Sequence, residues 1–210
     1  MSIADCKRCY IVGAGDNRAT SFLAGEGDLV IAADGGLEVL QKLGIRPHLI
    51  LGDFDSLGYI PTGADVLSYP VRKDDTDLLL ACRQGLERGY TRFCIYGGLG
   101  GARFSHTVAS LQTLRFLAEH GAKGILYGDG CRVHLLEAEA LTFPKDTTGH
   151  LSLLAATDTA VVTVKGASYE GENLTLTGAY PLGVSNSFCG REVTVTVSRG
   201  QVFAIVEETP

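Results

Sequence analysis

Two acidic clusters lie close together in the chain, Gly52-Asp53-Phe54-Asp55-Ser56 and Lys73-Asp74-Asp75-Thr76-Asp77. The apolar run His48-Leu49-Ile50-Leu51 stops at the glycine and the alternating aspartates, the pattern of a buried strand that delivers carboxylates to its C-terminal edge. Alternate residues of an extended segment project to one side, so Asp53 and Asp55 can converge on one cation while Phe54 packs the other way. Asp77 joins them from the first turn of the next helix. Hard oxygen donors without clustered His or Cys favour magnesium over zinc, and magnesium held by carboxylates serves phosphate chemistry. An Asp-rich surface loop is the plainer account of GDxD alone; the second cluster weighs against it.

The elements that must position these groups are legible in order. Cys9-Tyr10-Ile11-Val12 reads as a first buried strand running into the turn Gly13-Ala14-Gly15. That turn is half of a dinucleotide GxGxxG pattern, with Arg18 where the third glycine belongs, so a full dinucleotide site is not expected. Leu29-Val30-Ile31-Ala32-Ala33 is a second strand, and Asp34-Gly35-Gly36 follows it before a helix near residues 37–43, bringing Asp34 to the same sheet edge as Asp53. A short strand at Val66-Leu67-Ser68-Tyr69 ends at Pro70. Thr76 or Asp75 then caps a helix with Leu78, Leu79, Cys82 and Leu86 at helical spacing, ending near Gly89. Asp74 and Asp77 flank its N-terminus, where aspartate is also a routine capping residue.

Arg92-Phe93-Cys94-Ile95-Tyr96 is the next strand, and a glycine-rich turn, residues 97–103, leads into a long helix over about 104–120. Such a turn exposes backbone N–H groups at the positive end of a helix dipole, so Gly98 and Gly100 are candidate phosphate contacts. The spacing is not that of a P-loop, but Arg103 can hold phosphate with two hydrogen bonds. His106, one turn into the helix, can face the same site, although a lone histidine more often has a structural role. Gly124-Ile125-Leu126-Tyr127-Gly128 closes the α/β part. Beyond about Leu141 helical periodicity gives way to short β-rich runs separated by turns, which predicts a small all-β sandwich or barrel. The change places an α/β domain with a parallel sheet over residues 1–138 and a β domain over 139–210. Within the latter, Gly183-Val184-Ser185-Asn186-Ser187-Phe188 reads as a polar loop, by default a turn built from Ser and Asn.

The 210 residues are 45% hydrophobic, enough for real cores, and carry a net charge of −6. That balance argues against a nucleic-acid partner; a small phosphorylated ligand remains compatible if a metal and local basic residues offset its charge. No apolar run reaches membrane-spanning length and residues 1–8 lack a signal-peptide core, so a cytoplasmic location without a membrane partner is expected. The six cysteines are scattered in apolar patterns and read as reduced core residues. The CxxC formed by Cys6 and Cys9 has no second pair for zinc and enters a strand instead of starting a helix.

Asp34-Gly35-Gly36, the Asp53 and Asp77 clusters, the stretch from Gly97 to His106 and Ser185-Asn186 together resemble the thiamine pyrophosphokinase family in order and spacing, over almost the whole chain. The resemblance implies a Rossmann-like N-terminal domain, a C-terminal β-sandwich, and a homodimer with active sites at the subunit interface. It implies transfer of the pyrophosphoryl group of ATP to the hydroxyl of thiamine, giving thiamine diphosphate and AMP. By resemblance, Asp53, Asp55 and Asp77 are magnesium ligands with Asp34 and Asp74 close by. Gly35, Gly36, Lys73, Thr76, Gly98, Gly100, Arg103 and His106 belong to the ATP side, and Ser185 and Asn186 to the thiamine pocket. Lys73, Arg72 or Arg103 supplies positive charge, and Asp74 is the candidate acceptor of the hydroxyl proton. The chain departs from the family's RxDH pattern by having Ser105 between Arg103 and His106, and it has Ala109-Ser110 where Ala-Asn is common; Ser105 is expected still to serve as a helix cap. A magnesium-dependent nucleotide phosphohydrolase, or a non-catalytic thiamine or nucleotide sensor, would use the same surface.

Overall fold

The computed structural model describes residues 7–18, 20–53, 65–69 and 75–208. Its contacts divide the chain into two compact units, Met1–Asp129 and Gly130–Pro210. The division precedes the 138/139 change read from composition because the strand over Cys131–Glu137 pairs along its length with Gln201–Glu207.

In the first unit, strands β1 (Cys9–Val12), β2 (Leu29–Ala33), β3 (Leu49–Gly52), β4 (Asp65–Ser68), β5 (Arg92–Tyr96) and β6 (Lys123–Gly128) lie in the order β6-β5-β1-β2-β3-β4. All five pairings are parallel. The helices are α1 (Gly36–Lys42), α2 (Asp77–Glu87) and α3 (Phe104–Glu119). Strands β1, β2 and β3 are buried at every position, as a parallel sheet covered on both faces requires.

Alternation assigns the faces. Tyr10, Val12, Val30, Ala32, Ile50 and Tyr96 form a core with Leu37 and Leu40 of α1. On the opposite face a Cβ at Gly85 of α2 would touch Phe93 and the Cys9 sulfur, and one at Gly124 would touch Leu114 and Leu117 of α3. These two helices therefore lie close to the strands beneath them. On the α1 side, the rings of Tyr10, Phe22, Tyr96 and Tyr127 stack with centroid spacings of 4.4, 5.3 and 4.8 Å, fastening the segment after β1 to the sheet.

The chain builds outward from β1 through β4, then returns to the other side of β1 with β5. The strand order therefore reverses between β1 and β5, and the crevice beyond their C-terminal ends is where open α/β sheets bind ligands.

The second unit contains β7 (Cys131–Glu137), β8 (Ala140–Phe143), β9 (His150–Ala155), β10 (Thr159–Lys165), β11 (Gly171–Thr177), β12 (Gly183–Ser187), β13 (Val193–Arg199) and β14 (Gln201–Glu207). Antiparallel runs β12-β9-β14-β7 and β11-β10-β13-β8 enclose one core, to which Leu151, Val162, Val195 and Val202 contribute. The polar stretch expected as a loop is β12. Its backbone pairs with β9, with an irregularity between Gly183 and Asn186 where Ser185 takes φ +61°. A hydrophobic alternation was absent there because this is an edge strand with Val184 and Ser185 exposed and no position fully buried. Among the described residues no helix is long and apolar enough to cross a membrane.

Candidate active site

A cavity of about 260 Å³ opens at the C-terminal edge of the first unit's sheet. Four strand ends and two helix starts build its surroundings. The first wall is Gly13, Ala14 and Gly15 after β1, facing Gly97, Gly98, Gly100 and Gly101 after β5. These loops meet backbone to backbone: Gly13 N–H donates to the Tyr96 carbonyl at 2.8 Å, and Gly15 N–H to the Gly97 carbonyl at 3.0 Å. Side chains would prevent this approach. A Cβ at Gly15 would run into the Gly97 carbonyl, and one at Gly97, which has φ +68°, into the Gly13 carbonyl.

The second wall carries the acids. Asp34 leaves β2 with φ +48°, its N–H donating to the Leu51 carbonyl at 2.8 Å, and it lines the cavity. A Cβ on Gly52 would stand 3.2 Å from the Asp34 Cα, so the backbone delivering Asp53 runs directly beside Asp34. Asp53 is half-buried just past β3 and does not line the cavity. Gly35 caps α1 and Gly36 begins it; neither is a lining residue. Gly36 has a packing role, because a Cβ there would collide with the Val12 carbonyl.

Thr76 and Asp77 bring the N-terminus of α2 to the cavity. Thr76 is extended and its Oγ1 accepts from Leu79 N–H at 3.3 Å, so it, and not Asp75, is the cap. The Asp75 carboxylate instead accepts from Arg83 Nε at 2.8 Å, and Arg83 lies 4.8 Å from the centre of the Phe116 ring, linking α2 to α3. Arg103 and His106 line the cavity at the N-terminus of α3. Arg103 is the extended N-cap residue and caps with no side-chain hydrogen bond. The expectation that Ser105 caps this helix is corrected, because the helix begins at Phe104 and Ser105 is its exposed second residue. Ser110, also a lining residue, is buried and donates to the His106 carbonyl at 2.9 Å.

Two helix N-termini and two glycine turns thus converge on a space bordered by Asp34 and Asp77. Backbone N–H groups and Arg103 suit anionic oxygens, whereas paired carboxylates suit a hard cation. The expected magnesium ligands are divided by what is described. Asp77 is in the cavity and Asp53 beside Asp34, while Asp55 lies outside the described residues, as do Lys73 and Asp74. Among the described residues no three His, Cys, Asp or Glu side chains are grouped closely enough to hold a metal. Asp34 and Asp77 line the cavity as two hard oxygen donors, and magnesium takes few protein ligands, its sphere being completed by water and phosphate oxygens.

Ser185 and Asn186 belong to the second unit. Ser185 N–H donates to Ser152 Oγ at 3.1 Å. The Asn186 amide clamps Tyr169, accepting from its N–H at 2.9 Å and donating to its carbonyl at 2.7 Å. Outside the cavity, the first cysteine of the CxxC lies beyond the described residues, and burial pushes the Cys9 thiol up, as it does Cys82. Both are core thiols.

Sequence reasoning missed Gly13, Ala14, Gly15, Leu78 and Ser110 as lining residues. The available signal was the glycine turn after β1, set aside for lacking a third glycine although two suffice for the contact with the β5 turn.

Residues 22–126 match the family model described as thiamin pyrophosphokinase, catalytic domain, and residues 139–202 match thiamin pyrophosphokinase, vitamin B1 binding domain. Solved structures share the fold. A thiamine pyrophosphokinase from Bacillus subtilis superposes with a TM-score of 0.83 at 24% identity, over 97% of this chain and 100% of that one. A thiamin pyrophosphokinase family protein from Enterococcus faecalis gives 0.80 at 22% identity, over 97% and 100%. Yeast thiamin pyrophosphokinase gives 0.74 at 16% identity, over 98% and 87%. No curated protein sequence matches the chain.

Proposed function

The chain belongs to the thiamin pyrophosphokinase family, and from that premise we propose that it transfers the terminal pyrophosphoryl group of ATP to the hydroxyethyl oxygen of thiamine, giving thiamine diphosphate and AMP. The observation that carries this reading to a site is the cavity at the strand-order reversal, where glycine amides and Arg103 meet Asp34 and Asp77. A triphosphate accompanied by magnesium requires both kinds of group in one place.

In this reading the first unit is a Rossmann-like ATP- and magnesium-binding domain. Asp53, Asp55 and Asp77 would hold magnesium, with Asp34 and Asp74 beside them. When bound, the ion offsets charge on the transferred and departing phosphates. The chain's own residues do the rest. Amides at Gly98 and Gly100, the α2 and α3 N-termini, Arg103 and His106 orient the phosphates, and Lys73 or Arg72 adds positive charge. Asp74 accepts the thiamine hydroxyl proton as its oxygen attacks the β-phosphorus and the bond to the α-phosphate oxygen breaks. Positioning and fixed electrostatics carry most of the rate.

The second unit is a β-sandwich in which Ser185 and Asn186 shape the thiamine pocket. Tyr169, Tyr180, Leu182 and Val184 present exposed apolar side chains there, a surface suited to being covered by a second copy in a homodimer. The described cysteines are free thiols, in keeping with a reducing, cytoplasmic setting.

The test is incubation of purified protein with ATP, magnesium and thiamine, beside a reaction lacking thiamine, with AMP, ADP and phosphate resolved. AMP and thiamine diphosphate forming together, and only with thiamine, is the expected result and makes Ser105 a tolerated variation. Phosphate release without thiamine would favour a hydrolase; thiamine binding without turnover would favour a sensor.

A further inference from the structure

The glycine turn after β1 is held by a side chain that does not itself line the cavity. Asn17 Nδ2 donates to the carbonyls of both Gly13 and Gly15, at 2.8 and 2.9 Å. Its Oδ1 accepts from the Thr20 hydroxyl at 2.9 Å, and Thr20 N–H returns to the Asn17 carbonyl at 3.0 Å. Thr20 is buried, so Asn17 is tethered from behind to a fixed point. Its amide also abuts the opposite turn, since a Cβ on Gly97 would stand 2.8 Å from Asn17 Nδ2. One amide group thus sits where both phosphate-side turns meet.

From this we infer that Asn17 is a positioning residue for the nucleotide, acting through the Gly13-Ala14-Gly15 turn. The inference rests on the reading of the cavity as the ATP site. Engaging both carbonyls with one N–H₂ group fixes the orientation of the peptide groups of this turn, and with it the wall it presents to the nucleotide. The same bonds keep Gly15 N–H on the Gly97 carbonyl, so the two turns hold one spacing. Neither effect bears on thiamine.

Asn17→Asp separates this role from general stability. It keeps the volume and the acceptor for Thr20, but it sets an acceptor oxygen against two carbonyls and adds negative charge. Thr20→Val removes only the hydroxyl bond to Asn17 Oδ1 and retains shape in case the first variant does not fold. The expected result for Asn17→Asp is a rise of about tenfold in KM for ATP, equivalent to the loss of roughly one charge-sensitive hydrogen bond, with KM for thiamine unchanged. Thr20→Val shifts KM for ATP in the same direction by a smaller factor. Equal rises in both KM values, or an unchanged KM for ATP in the folded variants, would overturn the inference. ATP affinity measured by calorimetry on the same proteins keeps the two readings apart. Wild-type protein that binds ATP but makes no thiamine diphosphate would refute the proposed reaction, while weaker ATP binding by Asn17→Asp would still uphold the role of Asn17.

Discussion

Substitution of Gly97 by alanine tests whether the cavity depends on direct contact between two backbones. Gly97 has φ +68°, and an added Cβ would meet the Gly13 carbonyl oxygen and stand 2.8 Å from both the Gly13 carbonyl carbon and Asn17 Nδ2. The left-handed conformation costs an L-residue about 1 kcal/mol, and overpacking against backbone that cannot rotate away adds roughly 1–3 kcal/mol. Gly121 is the internal control. Its φ is +70°, yet nothing lies within 4 Å of its Cβ position, so Gly121→Ala carries the conformational cost alone. At roughly 2–4 °C per kcal/mol for a chain of this size, Gly97→Ala should lower Tm by about 5–15 °C and Gly121→Ala by about 2–4 °C. Thermal unfolding of the two variants beside wild type measures the difference, and KM for ATP measures its consequence at the cavity. Equal losses of Tm in the two variants would refute the close-approach argument, because both share the same conformational cost.

Asp77→Asn should lower kcat by on the order of 100-fold or more through lost charge stabilisation, while stability changes by no more than about 1 kcal/mol, the worth of one acidic residue at a helix N-terminus; steady-state kinetics and a melting curve decide it. Asn186→Ala should raise KM for thiamine and leave KM for ATP unchanged, and should also cost roughly 1–3 kcal/mol in urea unfolding because both Asn186 bonds to the Tyr169 backbone are lost. Burial, reinforced by the charge of Arg132 and partly opposed by Glu139, lowers the His134 pKa from 6.5 to about 4 and holds the ring neutral. The unfolded chain therefore takes up a proton that the folded chain refuses as pH falls from 6.5 towards 4. The folded state should lose up to about 3 kcal/mol across that window and no more from this group below it. Urea midpoints at pH 7 and pH 4.5 should differ less in His134→Gln than in wild type, and an identical pH slope would remove His134 as the cause.

Much of the first unit follows from local pattern. The unbroken apolar runs of β1, β2 and β3 require burial on both faces, and Thr76 with the helical spacing after it marks the start of α2. Aspartates placed just after Ala33 and Leu51 must emerge at one sheet edge once those residues pair in parallel register. What local pattern cannot express is which strand lies beside which. β1 and β5 are adjacent although more than half of the first unit separates them in sequence, and that pairing alone brings Gly13, Ala14 and Gly15 against the turn at Gly97. β12 escaped notice for a related reason. Its backbone bonds to β9 hold it, whereas its mostly polar side chains, none of them fully buried, carry no hydrophobic period. The same distinction separates Asp75 from Asp77, neighbours of equal chemistry: the helix beginning at Asp77 turns one carboxylate to the cavity and leaves the other to Arg83. Residue types and spacing determined the chemistry available at the edge; contacts between distant segments, whose free energy depends on shape and close approach, decided which groups share the cavity.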